Sequence, residues 1–506
     1  MQPTTASTSR TVAVFSSVAS VLLVGVVASV PGSPLQPVLP GSAGPFGPFR
    51  WGAEVVGLDR LGPGALAGLG LFAMASAAAG FLLVLREAWR GHVRPGTVLW
   101  LAVAYHAALF LLPLLFSRDV YSYASYGRIA GVHHANPYVA TPSDFPNDPL
   151  APFIGPRWVD TPAVYGPLFT LVSSWLVRLT SSVAGAIWTF RTLAVAASLA
   201  TLAVVARVSR RAWPDRRAFA IAAYGLNPVV LFQSAASGHN DLLVALAVVG
   251  ALALVHARRD VWATAALSLG ALVKATAVLP LVLLLVAVTA RAEPGRRIRT
   301  LAAHAGVAVA LALVFAAPFL NASDPSLGMV ELAGHEGWLA PSRLFRRVLA
   351  AVSGDVLGVV ARLAFALLVV GAVALIVRWT ARRGAAVTPL EQGGAWAWTL
   401  LLLMLLGPVL LPWYVTWALP LAWLLPPVPR TVLLGTGVAL TLSQWTAEPA
   451  RFARAYDLNV LFGHYVLTPV VVVLLGWVLI DLRRRLRADA ALQDQPDGVS
   501  ARAGER

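Results

Sequence analysis

The chain has 506 residues, of which 58% are hydrophobic and 12% charged, with a mean hydropathy of +0.73. Soluble domains carry about 25% charged residues, so this composition excludes a soluble globular protein and implies an integral membrane one. The lack of cysteine excludes disulfides and thiolate metal sites, and the net charge of +16, dispersed in short clusters rather than one patch, argues against nucleic acid as a partner.

The first thirty residues resemble a signal peptide, but their apolar part, from about Thr11 to Val30, is long enough to span and is read as a retained first helix. Spans follow by length and apolarity at 11–31, 64–86, 97–116, 186–207, 218–236, 240–257, 300–318, 354–378, 395–411, 413–427, 431–447 and 463–481. The fold class is therefore an all-α polytopic membrane protein with about 12 full spans plus short non-spanning helices. It divides into two N-terminal helices and their loops (1–95), a core module (96–318), a C-terminal module (319–482) and a tail (483–506).

The 39 basic residues are all Arg except Lys274, and they gather near residues 86–94, 207–217, 258–259, 291–299, 378–383 and 483–487. The positive-inside rule places these clusters and both termini in the cytoplasm of a multi-pass plasma-membrane protein. Segments 117–162, 237–240, 319–352 and 448–462 then face outward. Two places break simple alternation. The helix near 164–180, which carries Arg178, is read as non-spanning. The 261–290 segment, flanked by Arg at both ends, must be two short helices meeting near Lys274. A 13-residue helix reaches only about 20 Å against a hydrocarbon core of about 30 Å, and such short hairpins survive inside protein or beside a wet cavity.

The 117–162 segment far exceeds the 12–15 residues of an ordinary loop and is rich in Tyr, Trp, Pro and His. Its tyrosines fit either an interfacial belt or a pocket. Asp119 lies within a few residues of the end of a membrane-length apolar run, where a carboxylate is solvated, paired with Arg118, or functional. His239, Asn240 and Asp241 open a helix on the same side; an N-cap explains one of them, three in a row favour a site. Lys274 either snorkels or serves a phosphate, and a chain that uses Arg everywhere else favours the second. In the outer segment 321–348, with His335, Glu336 and Trp338, Arg343 fits a phosphate clamp and a headgroup contact equally. Trp413, Tyr414 and Trp417 read as belt aromatics in preference to sugar stackers. Walker A, G-x-G-x-x-G and H-E-x-x-H motifs are absent, as is D-x-D from the outer loop, which disfavours ATP-driven transport and zinc chemistry.

The run Arg118–Tyr123 (RDVYSY), Gly131 with Asn136–Pro137–Tyr138, Tyr165–Leu168 (YGPL), Asn227–Pro228, Gly238–Asp241 (GHND) and Leu272–Lys274 (LVK) resembles the GT-C glycosyltransferases. Within them it is similar to the actinobacterial polyprenol-phosphomannose-dependent alpha-1,6-mannosyltransferases that elongate lipomannan-type chains. The resemblance covers roughly residues 95–480. It implies a polyprenyl-phosphate-mannose donor, a mannan or glycolipid acceptor, a membrane-lipid environment and an active site facing outward. Asp119 would be the single base, because a lipid phosphate leaves without a general acid. Lys274 and Arg343 would hold the donor phosphate, with no metal and no cofactor. Arg118, Tyr121, Tyr123, Asn136, Tyr138, Tyr165, His239, Asn240 and Asp241 would bind sugar or donor. The alternatives are a transporter or flippase of lipid-linked sugars, which would show inverted repeats that this chain lacks, and an alpha-1,2-mannosyl or other lipid-phosphosugar-dependent transferase.

Overall fold

The computed structural model describes residues 3–40, 47–180, 182–320, 328, 337, 339–353, 355–446 and 451–493. Among these there is no β-strand. The helices begin with α1 (Pro3–Ala28), α2 (Pro48–Val55), α3 (Pro63–Trp89), α4 (Pro95–Leu109), α5 (Asp119–Gly131) and α6 (Pro167–Leu176). They continue with α7 (Val183–Ala212), α8 (Arg217–Gly225), α9 (Asp241–His256), α10 (Asp260–Val273), α11 (Val278–Arg291) and α12 (Arg297–Ala316). The last are α13 (Pro341–Ser353), α14 (Asp355–Arg383), α15 (Pro389–Leu406), α16 (Pro427–Thr441), α17 (Ala453–Phe462) and α18 (Thr468–Gln493). Among the described residues seven helical stretches are long and apolar enough to cross a membrane, and five shorter apolar ones, α4 and α9 among them, accompany them. This is an all-α polytopic membrane protein.

Three differences from the sequence reading have physical causes. The span expected over 97–116 stops at Leu109, because Pro113 supplies no N–H and disfavours helix in the residue before it. Asp119 therefore does not end a membrane helix; it begins a separate one, α5, inside what reads as a loop. The span expected over 413–427 is two buried 3-10 segments, Pro412–Trp417 and Leu419–Leu424, interrupted and closed by prolines. The span over 218–236 is present as a stretch long enough to cross, but it is irregular: its α-helix ends at Gly225 and it continues past Asn227–Pro228 as a π-helical turn, Val229–Ala235.

Other expectations match. The 261–290 segment is the pair α10 and α11, meeting at Lys274. The helix after Tyr-Gly-Pro is short: α6 has 10 residues, about 15 Å. It lies against α5 at two glycines, since a Cβ on Gly127 would come 2.6 Å from the Ser173 carbonyl oxygen and one on Gly131 2.5 Å from that of Ser174. Around this pair α9 packs on α7 and α10, and the 3-10 segment 412–417 packs on α9 and on the π-helical turn. The site lies at that junction. His335, Glu336 and Trp338 fall outside the described residues.

Candidate active site

Asp119 is set by the turn that precedes it. Phe116 takes a left-handed conformation, φ 56°, that a bulky residue adopts only when its surroundings impose it. The Leu35 carbonyl accepts its N–H at 2.9 Å, and the Ser117 hydroxyl accepts the Asp119 N–H at 3.1 Å. The Asp119 carboxylate is walled in, with 18% of its side chain exposed. Burial pushes its carboxyl up to about 6; Ser117 and the Lys274 ammonium pull it down, and Asp241 pushes it further up.

His239 arrives from the other side. Gly238 turns the chain at φ 71°, and a Cβ there would lie 2.7 Å from Cγ2 of Val120, the residue after Asp119. Only glycine meets both demands. The His239 imidazole is fully buried, 3.6 Å from the Asp119 carboxylate through Nδ1, and shares a 3.2 Å hydrogen bond with the Tyr123 hydroxyl. Burial, helped by Lys274, depresses its basicity far below the usual imidazole range, so the ring is neutral. Burial also raises the Tyr123 hydroxyl well above its ordinary value, with Asp119 and Asp241 adding to the effect. Tyr123 rests edge-on against Tyr165, with ring centroids 4.8 Å apart.

Lys274 sits in extended backbone between α10 and α11, tied to the Tyr-Gly-Pro turn by the Gly166 N–H, which donates to the Val273 carbonyl at 3.0 Å. Its ammonium donates to Asp241 Oδ1 at 2.8 Å. The Trp417 indole N–H donates to the same oxygen at 2.6 Å. The ammonium also lies over the rings of Tyr414 and Trp417, 4.5 and 5.3 Å from their centroids, a geometry that attracts a desolvated cation. Trp413 stacks on His239 with centroids 3.9 Å apart. The three aromatics are buried, so the belt reading of them is incorrect; they join the cluster because prolines hold 412–424 in tight turns instead of a helix.

Polar atoms without a recorded protein partner concentrate here. They are His239 Nε2, both amide atoms of Asn240 and Asp241 Oδ2. Asn240 stands at the start of α9 but makes no capping hydrogen bond, so the capping explanation does not hold for its side chain. Buried polar atoms normally find partners, and successive residues with spare capacity form a surface able to take hydroxyl groups.

The remaining expected residues are placed elsewhere. Arg118 gives its guanidinium to the Val38 carbonyl. Asn136 bonds the Phe319 carbonyl at 2.9 Å and accepts the Tyr138 N–H at 3.0 Å. The Tyr138 hydroxyl donates to the Tyr165 carbonyl at 2.6 Å. Tyr121 stands against Phe153, its buried hydroxyl without a recorded partner. Arg343 is on α13, which packs on α14, α15 and α18, and lies near His464. His133 binds Asp148 at 2.7 Å together with Arg128, an arrangement that fastens the loop. Among the described residues no cluster of three or more His, Asp or Glu could hold a metal ion.

Arg191 of α7 escaped the sequence reading. Its buried guanidinium donates to four main-chain carbonyls, those of Leu109 (3.2 Å), Leu112 (2.6 Å), Pro113 (2.9 Å) and Ala236 (2.9 Å). It ties the strand of chain leading to Asp119 to the turn leading to His239. Its signal was available: an isolated Arg inside an apolar span is costly and therefore purposeful.

Residues 19–291 match the family described as alpha-(1->6)-mannopyranosyltransferase, N-terminal domain, and this stretch contains Asp119, His239, Asp241 and Lys274. The chain is also similar to alpha-(1->6)-mannopyranosyltransferase A of Mycobacterium tuberculosis (strain ATCC 25618 / H37Rv), at 28% identity over 405 residues, 75% of this chain and 73% of that protein. No solved structure gives a significant match. The family match takes in more than half of the chain, and the chain belongs to the alpha-(1->6)-mannopyranosyltransferase family.

Proposed function

We propose that this membrane mannosyltransferase moves mannose from a polyprenyl-phosphate-mannose donor to a mannan or lipomannan-type acceptor, forming alpha-1,6 linkages with inversion. The observation that carries the reading is geometric: one walled cluster holds the Asp119 carboxylate, 3.6 Å from His239, and the Lys274 ammonium, held by Asp241 at 2.8 Å. Asp119 is poised to accept a proton near neutral pH. The acceptor hydroxyl loses its proton to Asp119 as its oxygen bonds to the anomeric carbon. The bond from that carbon to the phosphate oxygen breaks, and polyprenyl phosphate departs with the electron pair.

Lys274 meets the charge that develops on the departing phosphate, a role a preorganised cation fills in a site that excludes water. Asp241 and Trp417 keep the ammonium in place until the donor arrives. The spare polar atoms of His239 and Asn240 orient sugar hydroxyls, and Trp413, Tyr414, Tyr123 and Tyr165 form the walls. Phosphate recognition rests on protein cations and needs no metal. Arg343, on α13, serves the donor phosphate or a lipid headgroup. The catalytic face is extracytoplasmic, with the arginine clusters and both termini in the cytoplasm, as the positive-inside rule supports.

Membranes containing the chain, given labelled polyprenyl-phosphate-mannose and a short alpha-1,6-mannoside, should elongate the acceptor in EDTA. Absence of incorporation by the wild type, or full activity of Asp119→Asn, would overturn the proposal.

A further inference from the structure

The basic end of the bundle carries a second feature, remote from Asp119. Between α4 and α7 runs a groove of about 450 Å³. Its walls are Leu99 and Val103 of α4 and Leu199 and Leu202 of α7. Arg207, Arg210 and Arg217 line it as well, toward the C-terminal end of α7 and the start of α8. From Arg191, which clamps the candidate active site, to Arg207 is 16 residues of one helix, about 24 Å.

We infer that this groove is a binding site for an anionic phospholipid, with one acyl chain along the aliphatic walls and the phosphate among Arg207, Arg210 and Arg217. Three properties point to that occupant. The first is charge. Among the described residues no carboxylate pairs with any of the three arginines, and the only side-chain bond recorded for them is from Arg217 Nε to the Ala206 carbonyl, at 3.1 Å. Basic pockets between membrane helices favour anionic headgroups for this reason.

The second is length. From Leu199 to Arg210 is 11 residues, about 16 Å, or roughly half of the 30 Å hydrocarbon core. That is the depth of one leaflet. The third is rigidity. His106 of α4 bonds Ser198 of α7 at 2.8 Å, and Ser198 bonds Tyr224 of α8 at 3.0 Å. Behind the groove Gly225 lets α8 approach so closely that a Cβ there would be 2.7 Å from Leu202. The three helices are pinned together beside the groove, which has a solid floor. A second copy of the chain fits poorly, because a two-fold contact would set these arginines against their own counterparts.

The test uses the full chain, purified in detergent and stripped of lipid, with binding measured by native mass spectrometry. Phosphatidylglycerol should bind at least about tenfold more tightly than phosphatidylcholine, and inorganic phosphate alone should not compete. Arg207→Gln combined with Arg210→Gln should weaken phosphatidylglycerol binding about thirtyfold, the effect of two charges near a headgroup. Ala203→Phe fills the groove, leaves the arginines intact, and should abolish retention. All three positions are exposed, so the fold is not at stake. Equal binding of the two lipids would overturn the inference. So would phosphate binding as well as the lipid, retention undiminished in either variant, or a lipid-independent dimer that Ala203→Phe disrupts.

Discussion

The Lys274 ammonium and the Asp241 carboxylate form a 2.8 Å ion pair whose carboxylate oxygen is shared with the Trp417 indole. The cation is therefore aimed before any substrate arrives. Lys274→Met should lower transfer about 10²- to 10³-fold, as loss of one preorganised donor to a developing anion does. Asp241→Asn should also be damaging, because it releases the ammonium. The double variant should be less impaired than the product of the single effects, and a double-mutant cycle on kcat/KM measures the shortfall. Strict additivity would show that the two residues act separately.

The pH profile should carry the signature of Asp119. In the proposed mechanism the ionised carboxylate is the active form, so the rate should rise as pH increases through about 6 and fall tenfold per unit below it. Lys274 pulls the Asp119 carboxyl down and Asp241 pushes it up. Residual activity of Lys274→Met should therefore have its acid limb at higher pH, and that of Asp241→Asn at lower pH. Asp119→Asn should lose about 10²- to 10⁴-fold and its acid limb altogether.

Arg191 acts through others. Arg191→Lys keeps the charge but cannot span four carbonyls in two segments, so Asp119 and His239 should drift relative to one another. The expected result is a fall in kcat of at least about tenfold with little change in acceptor KM, since misplacement by about an ångström costs rate before it costs binding. Equal losses in KM and kcat would point to general loosening instead.

Gly238→Ala meets two obstacles, a left-handed backbone costing about 1–2 kcal/mol and the Val120 side chain. Thermal stability and activity should both fall. Adding Val120→Ala should restore part of each, because it removes the collision and leaves the backbone strain. No recovery in the double variant would show that the contact is unimportant.

The loop latch should be sensitive to acid. Burial alone would raise the Asp148 carboxyl, but hydrogen bonds from the Leu150 N–H, His133 and Arg128 hold it below the ordinary carboxylate range. A carboxyl depressed in the folded state contributes stability that is present above its unfolded value and lost as pH falls through the folded one. Asp148→Asn should lower the melting temperature near neutral pH, and this gap should close as the pH approaches the acid range. A gap that widened on acidification would contradict the assignment.

Much of the candidate site was legible in the sequence because ionisable residues are expensive in apolar surroundings. Asp119, His239–Asp241 and Lys274 stood out for that reason, and the short hairpin followed from arginines at both of its ends. Asn136 and Tyr138, expected to bind sugar or donor, spend their polar atoms on holding the loop. Trp413, Tyr414 and Trp417 were hidden, since a buried aromatic and an interfacial one look alike in a single sequence. Pro113 gave a readable warning that the helix before Asp119 would stop early. Arg191 was obscured by the abundance of arginine elsewhere, although its isolation within a span set it apart.

The brevity of α10 and α11 bears on the membrane itself. Each has 14 residues, about 21 Å, which leaves their junction roughly 9 Å short of a 30 Å hydrocarbon core. Such a mismatch is relieved when the surrounding bilayer thins toward the protein. A lipid-linked phosphate on that side would then sink toward Lys274 with the leaflet, without leaving the headgroup layer. Under the proposed mechanism bilayer thickness becomes a variable of the reaction: lengthening the acyl chains of the reconstituting lipid would raise the donor away from Lys274, and turnover should decline with each added pair of methylenes.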